Sequence, residues 1–236
     1  MARRNYDQSC SLALALDRIG ERWALLIIRE LSLGPLRFSD LARAVGGAPT
    51  DVLARRLRDL EADRIVRRRE LPLPASGVAY ELTELGRELE RPMLELSRWG
   101  MNYYDLEDAT RVSAAMIANA LRVLIVPSPE MTVTFLVRSG GHDFSFEIEK
   151  GWVRAERGLL PTPDLTVTGE PVAILAMLAS GSPGADREAI EAAAAATGAQ
   201  SALGQVEVEG DIAVLEALQA AIQLPESITQ AQVSTR

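Results

Sequence analysis

The sequence predicts an α+β protein: a helix-rich first part closing with a two-stranded ribbon, then a sheet layered with helices. Three observations carry that class. Apolar residues recur at three- and four-residue spacing through most of residues 11–103. Between residues 65 and 82 the pattern changes to two short runs around a Pro/Gly-rich tip. From residue 131 onward alternation takes over, clearest where Phe144, Phe146 and Ile148 alternate with Asp143, Ser145, Glu147 and Glu149.

Residues 11–19 read as a first helix, with Leu12, Leu16 and Ile19 at helical spacing. Gly20 interrupts it, and residues 21–31 form a second helix that turns Trp23, Leu26, Ile27 and Leu31 inward. Ser32-Leu33-Gly34-Pro35 is a stop signal. A third helix starts near Phe38, points Phe38, Leu41, Ala42 and Val45 at the core, and ends at Gly46-Gly47. Thr50, or Pro49 at a first-turn position, opens a fourth helix over 50–61.

That fourth helix can be tested by angle. At about 100° per residue, Leu53, Leu57 and Leu60 share an arc of roughly 60°, a coherent buried stripe. With Leu53 at zero, Ala54, Arg58, Asp51 and Arg55 fall at about 100°, 140°, 160° and 200°, on the other side. Arg56, near about 300°, sits on the flank, where an acid such as Asp59 or Glu61 can pair with it. Strands over 65–70 and 78–82 follow, the first carrying Arg67, Arg68 and Arg69. Thr83-Glu84 then starts a longer helix through Leu85, Leu89, Met93, Leu96, Trp99 and Tyr103, kinked at Pro92. Its apolar residues exceed what a small domain needs inside. The expected use of the surplus is a homodimer interface formed by Leu96, Trp99 and Tyr103 with Leu12 of the first helix.

Charge separates the two parts. The whole chain of 236 residues carries a formal net charge of −8. Residues 1–104 hold 17 Arg against 15 acidic residues, and residues 105–236 hold 8 Lys and Arg against 18 acidic residues. An acidic protein is a poor prior for a polyanionic partner, but phosphate contact needs only local positive charge, and residues 49–69 contain seven Arg and four acids. A helix, a tight turn, an arginine-bearing helix and a ribbon, in that order, read as a winged helix-turn-helix built to lay one helix in a DNA groove. An arginine-rich helix face alone is usually a solvated surface; the basic ribbon behind it tips the balance.

Other chemistry finds little support. The single cysteine, Cys10, allows neither an intramolecular disulfide nor a cysteine zinc site, and the single histidine, His142, makes no histidine-rich metal site. No nucleophile–base pair, phosphate loop or metal cluster suggests catalysis, and His142 and Asp143, adjacent on a strand, point to opposite faces. No enzyme activity, cofactor or metal is expected. With no run of eighteen apolar residues and a polar, basic start, neither a membrane span nor a signal peptide is expected, and the expected location is the cytoplasm, at the nucleoid.

Ordered phrases add a resemblance. Cys10, Asp17-Arg18-Ile19-Gly20-Glu21-Arg22-Trp23, Leu26-Ile27-Ile28-Arg29-Glu30-Leu31 and Gly34-Pro35-Leu36-Arg37-Phe38-Ser39-Asp40-Leu41 come first. Val52 to Glu61, Tyr80-Glu81-Leu82-Thr83-Glu84-Leu85-Gly86 and Trp99-Gly100 complete the set. Together, over roughly residues 10–100, they resemble the HxlR-type branch of winged-helix regulators, related in architecture to MarR proteins. The resemblance implies a dimeric transcriptional regulator, its partners double-stranded DNA and a second copy of itself, with a recognition helix at 50–61 and a wing at 65–81. Asp51, Ala54, Arg55 and Arg58 would lie near base edges of a pseudo-palindromic site, with Thr50 also among the DNA-binding residues, while Arg37, Arg67, Arg68 and Arg69 would mostly hold phosphates. One departure is Arg64, where the family usually has glycine; that residue would strain the turn or add a phosphate contact. Cys10 matches the cysteine that some relatives use to sense quinones, aldehydes or oxidants, although a packed, inert thiol is the plainer reading.

The second half begins with a connector, residues 105–129, containing a helix with Val112, Met116, Ala120 and Val123 on one side. Residues 130–236 make a second domain beside the first, 1–104. It has strands over 131–137, 143–149, 151–157 and 164–168, a helix opened by Pro171, and an alanine-rich helix over 186–196. A strand over 205–209 and a helix carrying Ile212, Leu215, Leu218 and Ile222 follow. The order, with Pro163-Asp164-Leu165-Thr166-Val167-Thr168-Gly169-Glu170 and Val206-Glu207-Val208-Glu209-Gly210-Asp211, is similar to the sterol carrier protein type 2-like fold. That resemblance implies an apolar tunnel for a hydrophobic or lipid-like small molecule. Phe135, Phe144, Phe146, Trp152, Ile174, Met177 and Leu178 would line it, yet from the residues alone they are equally good core. Three readings stay open: control by such a ligand, redox or electrophile sensing at Cys10, or a lipid-binding protein whose winged helix is only an assembly module.

Overall fold

Leu53, Leu57 and Leu60, all but removed from water, centre the core of the first of two units, residues 1–93; the second spans 94–236. A computed structural model describes residues 5–71, 76–103, 113–183 and 206–224. The tip of the ribbon, the polar start of the connector and the expected alanine-rich helix lie outside the described residues.

The first unit runs α1 (Ser11–Ile19), α2 (Ala24–Leu31), β1 (Leu36–Arg37), α3 (Phe38–Val45), α4 (Thr50–Ala62), β2 (Val66–Leu71), β3 (Gly77–Leu82) and α5 (Glu84–Arg87). Helix α6 (Glu90–Gly100) carries the chain into the second unit. The leucine stripe of α4 packs with Ile27, Ile28 and Leu31 of α2, Leu41 and Val45 of α3, and Ile65, Val66 and Leu82 of the ribbon. Burial of each such side chain is worth about 1.5–3 kcal/mol, so this cluster holds the helices to one another.

Four details differ from the sequence expectation. Helix α2 begins at Ala24 rather than Glu21, because Trp23 takes a left-handed backbone with φ +79°. Ile28 then joins the inner face while Leu26 is exposed. A third strand, β1, pairs with β3 to give the order β1-β3-β2; at two residues it is too short to show alternation in sequence. The long helix expected from Thr83 is broken at Glu88-Leu89 rather than kinked at Pro92. Pro92 is the third residue of α6, where an N–H would have no acceptor within the helix, so breaking ahead of it avoids the clash that a proline makes with the preceding turn.

In the second unit, α7 (Ala114–Leu124) belongs to the core rather than to a connector: Ile117, Ala118, Leu121 and Leu124 are buried. Met116 is exposed, although its spacing placed it on the inner side. The strands are β4 (Val133–Ser139), β5 (His142–Glu149), β6 (Trp152–Arg157), β7 (Leu165–Thr168) and β8 (Glu207–Gly210), and the helices α8 (Pro171–Ser180) and α9 (Ile212–Ala221). Sheet order is β6-β5-β4-β7-β8, with β4 and β7 parallel and the other neighbours antiparallel. In α9, Leu218 and the following Ile222 are buried, but Ile212 is exposed.

The phrases around Asp164 and Asp211 prove to be joints of this sheet. Asp164 Oδ2 accepts from the Thr134 backbone N–H at 2.7 Å and hydroxyl at 2.8 Å. Asp211 caps α9 by accepting from the Ala213 N–H at 2.9 Å. Between them Gly210 has φ +118°, and a Cβ there would lie 2.4 Å from the Asp164 carbonyl oxygen, so only glycine fits.

The end of α4 gives the most direct stability test. The Ile65 N–H donates to the Leu60 carbonyl at 2.9 Å and the Arg64 N–H to the Glu61 carbonyl at 3.0 Å, the paired closure of a Schellman motif. Its left-handed position is Arg64, at φ +60°. An L side chain is strained there and glycine is not. Arg64→Gly should therefore stabilise the first unit by about 0.5–1 kcal/mol, read as a higher urea midpoint. An unchanged or lower midpoint would show that the turn carries no strain.

Candidate nucleic-acid interface

The helix-turn-helix is α3, a glycine turn and α4. Gly46 and Gly47 have φ +62° and +73°, a left-handed pair that turns the chain between the helices. Pro49 precedes α4, its φ of −57° already suited to a helix start, and the Leu53 N–H donates to the Pro49 carbonyl at 2.9 Å. Asp51 in the first turn complements the positive end of the helix dipole.

Burial divides α4 as the angles require. Thr50, Asp51, Arg55 and Arg58 are exposed and Ala54 half-buried, opposite the leucine stripe. The small Ala54 between longer polar residues leaves room for a close approach by a flat partner. Arg56, on the flank, donates from Nη1 to Asp59 Oδ2 at 2.6 Å and from Nη2 to Glu21 Oε2 at 3.0 Å. Asp59 was legible as its partner from the three-residue spacing; Glu21, thirty-five residues away, was not.

The ribbon arginines are each held by an acid of the same unit. Arg67 and Arg69 share one face of β2, and Glu81, opposite Arg67 in the register, lies between them. Arg67 Nε donates to Glu81 Oε1 at 2.7 Å and Arg69 Nη1 to Oε2 at 3.1 Å. Arg68, on the other face, lies 3.3 Å from Glu61 Oε1 and 5.8 Å from the centre of the Tyr80 ring. All three arginine side chains stay half or more exposed, and two arginines on one carboxylate leave a net positive charge. Arg37, on β1, turns back on the ribbon and donates from Nη2 to the Ser76 carbonyl at 2.9 Å. The signal for Glu81 was available: an acid directly across an antiparallel pair from a base is a favoured neighbour once the hairpin register is drawn.

The residues named for dimerisation are exposed: Leu12 at 66%, Leu96 at 50%, Trp99 at 60% and Tyr103 at 75%. Trp99 and Tyr103 pack against each other with tilted rings, 59° between their planes and centres 5.1 Å apart. Cys10, just before α1, is exposed, and the backbone N–H groups of Ala13 and then Leu12 hold its thiol below the ordinary value against a smaller opposing effect of desolvation.

In the second unit the residues named for a tunnel do not share one surface. Phe135 stacks on Phe146, its partner across the ladder, with centres 4.4 Å apart, and both are buried with Phe144, Ile174 and Leu178. Met177 is half-buried. Trp152 pairs with Glu149, one step out of phase with Ile148, and so stands on the opposite face of the sheet from the phenylalanines. That opposite face also carries Asp143, Glu147, Glu149, Glu156, Glu207 and Glu209 against Arg138 and Arg154. Among the described residues no helix is long and apolar enough to cross a membrane.

Fold and interface together define a winged helix-turn-helix transcriptional regulator. The chain belongs to the HxlR-like helix-turn-helix family, which matches residues 18–108. It is 34% identical over 94 residues to the HTH-type transcriptional regulator YtfH of Escherichia coli K12, covering 40% of this chain and 75% of YtfH. It is 33% identical over 104 residues to the regulator YybR of Bacillus subtilis, covering 44% and 83%. Among solved structures, the reduced form of the B. subtilis regulator YodB is 33% identical, covering 42% and 97%, with a TM-score of 0.37. These matches fall on the first part of the chain, short of the sheet domain.

Glu81 gives a pH test of the ribbon. Burial pushes its carboxyl up, but the hydrogen bonds and charges of Arg67 and Arg69 outweigh burial and hold it below the ordinary value. Folding therefore strips its proton at a pH where the unfolded chain still binds one. The stabilisation is complete above the unfolded value near 4.5 and is lost as pH falls through the lower folded value. Glu81→Gln should be less stable than wild type at pH 7, with the gap narrowing below pH 4.5 in parallel urea titrations. A gap that holds constant down to pH 3 would mean that the pairing contributes nothing.

Proposed function

We propose that this regulator binds DNA as a homodimer and reads a pseudo-palindromic site with α4, residues 50–61, while the wing, 65–81, follows flanking backbone. The observation that carries the reading is α4 itself, with three leucines fully inside and Asp51, Arg55 and Arg58 outside around the small Ala54. In this reading Arg55 and Arg58 meet base edges, and Thr50 and Asp51 stand at the helix end that enters the groove. Arg67, Arg68 and Arg69 act as a fixed positive strip toward phosphates, tied down by Glu81 and Glu61, and Arg37 braces the wing from behind. The exposed Leu12, Leu96, Trp99 and Tyr103 supply the dimer surface.

Arg55→Ala or Arg58→Ala should lower preference for the selected site over random DNA by about tenfold, a loss of ~1–3 kcal/mol per base contact. Arg68→Ala should weaken both and lower the salt slope by about one. Leu96→Asp with Trp99→Ala should sediment as a monomer and lose the advantage of a full site over a half-site. Equal losses on selected and random DNA for all the arginine variants would contradict the division of roles.

Control is proposed to enter by one of two routes. The second unit, with helices on a mixed five-stranded sheet, is compatible with the sterol carrier protein type 2-like resemblance. Phe135, Phe144, Phe146, Ile174, Met177 and Leu178 remain its candidates for holding a hydrophobic or lipid-like molecule. The other route is modification of Cys10, favoured by an exposed thiol that two backbone N–H groups make more acidic. A panel of quinones, aldehydes and long-chain carboxylic acids, tested for release of bound DNA, separates them. Cys10→Ser should abolish the response to electrophiles while sparing any response to the acids. A Cys10→Ser protein that still releases DNA under electrophiles would eliminate the thiol route.

A further inference from the structure

We propose that Glu21 and Arg56 are positioning residues for DNA reading, a latch by which the turn between α1 and α2 sets the rotation of α4 about its own axis. The inference rests on the reading of α4 as the DNA reader. Arg56 belongs neither to the leucine stripe nor to the outward face, and its side chain is only 12% exposed. Its fork is filled by two acids, Asp59 on its own helix at 2.6 Å and Glu21 on the turn at 3.0 Å. A guanidinium held at two nitrogens by two carboxylates has one orientation, which makes it a stop rather than a contact for solvent.

Two further observations place the latch. Arg18 Nε of α1 lies 3.4 Å from Oδ1 of Asp63, the residue that closes α4. Asp63 is seven residues beyond Arg56, about two helical turns or ~10 Å along the axis, so α4 is tied at two separated points. The turn itself is strained, for Trp23 is a bulky residue at φ +79°, a left-handed conformation that L side chains disfavour. Its ring is fixed by packing against the core and by the Arg22 guanidinium 4.8 Å from the ring centre. The ring also faces the glycine turn of the helix-turn-helix, for a Cβ added at Gly47 would stand 3.7 Å from it. One short turn therefore holds the flank of α4 and lies beside the bend in front of it.

Rotation is the motion that a leucine stripe controls poorly, because apolar burial has no direction. A rotation of about 10° moves a group at the outer radius of a helix, ~6 Å from the axis, by about 1 Å. Bidentate hydrogen bonds to a base edge do not tolerate that displacement, whereas point-charge attraction to phosphate does. Loss of the latch should therefore reduce discrimination and leave general attraction to DNA in place.

The test uses full-length Glu21→Gln, Arg56→Gln and the double variant, with circular dichroism to verify folding. Each is titrated against the best-bound duplex selected from fragmented genomic DNA and against a random duplex of equal length, over a range of salt. Each single variant should lose about tenfold in the ratio of selected to random affinity. Binding to random DNA should change by less than twofold, with an unchanged salt slope, and the double variant should be no worse than either single one. If Arg56→Gln fails to fold, Glu21→Gln carries the comparison alone, since Glu21 is a more exposed partner. Equal loss on both duplexes, an unchanged ratio, or additive losses in the double variant would each overturn the latch. A wild-type protein that binds neither duplex would overturn the reading of α4 beneath it and the latch with it.

Discussion

Leu53, Leu57 and Leu60 are almost wholly withdrawn from water, and that withdrawal fixes which residues of α4 remain outside. A helix of 3.6 residues per turn cannot bury one stripe without presenting the opposite one. Hydrophobic burial, which has no sequence preference for any partner, thereby decides that Asp51, Arg55 and Arg58 face outward together. The same burial accounts for the elements around α4. The inner faces of α2 and α3 supply the other side of the cluster, and Ile65, at the exit of α4, packs where the Schellman closure places it. Without the leucine stripe there is no defined outer face to read with.

Electrostatics then refine what packing has arranged. Arginines in this unit are seldom solitary: Arg18, Arg56, Arg67, Arg68 and Arg69 each meet an acid of the same unit. The pairs of the exposed Arg18 and Arg68 contribute only about 0–1 kcal/mol each, so their main consequence is geometric. Glu81 is the exception, because it is buried and would be costly alone. Two arginines on it hold the ribbon strands in register and keep their remaining charge pointing outward. A chain of net −8 can thus still carry a locally basic surface, with Arg55 and Arg58 exposed on α4 and the ribbon arginines held by Glu81 and Glu61.

Periodicity made the helices legible: α1, α3 and α4 begin where their apolar spacing and turn residues place them, and the alternation of Phe144, Phe146 and Ile148 located β5. What was illegible depended on contacts distant in sequence or on elements too short to show a period. β1 is two residues long, and Glu21 is brought to Arg56 only by the packing of α2 on the helix-turn-helix. The start of α2 was misplaced because a left-handed Trp23 has no signature; nothing in the side chain announces a conformation it disfavours. Arg64 was legible only through the family resemblance, where glycine usually stands at that position; its left-handed backbone gives the physical reason. Trp152 shows the limit of composition, for an aromatic residue near three phenylalanines was grouped with them until the register set it on the other face.

That register also constrains what the second unit can contribute. Its sheet has one face of phenylalanine, valine and isoleucine, and another dominated by glutamates whose few cationic neighbours are Arg138 and Arg154. Phosphate repels such a face, so it adds nothing to affinity for a polyanion and penalises arrangements that bring it near one. The two parts of the chain therefore divide by charge as well as by sequence, with most of the arginines in the part that holds α4. Helix α6 crosses from one unit to the other. Its break from α5 at Glu88-Leu89, imposed by Pro92, lies on the side of the first unit, and its exposed Leu96 and Trp99 lie on the side of the second.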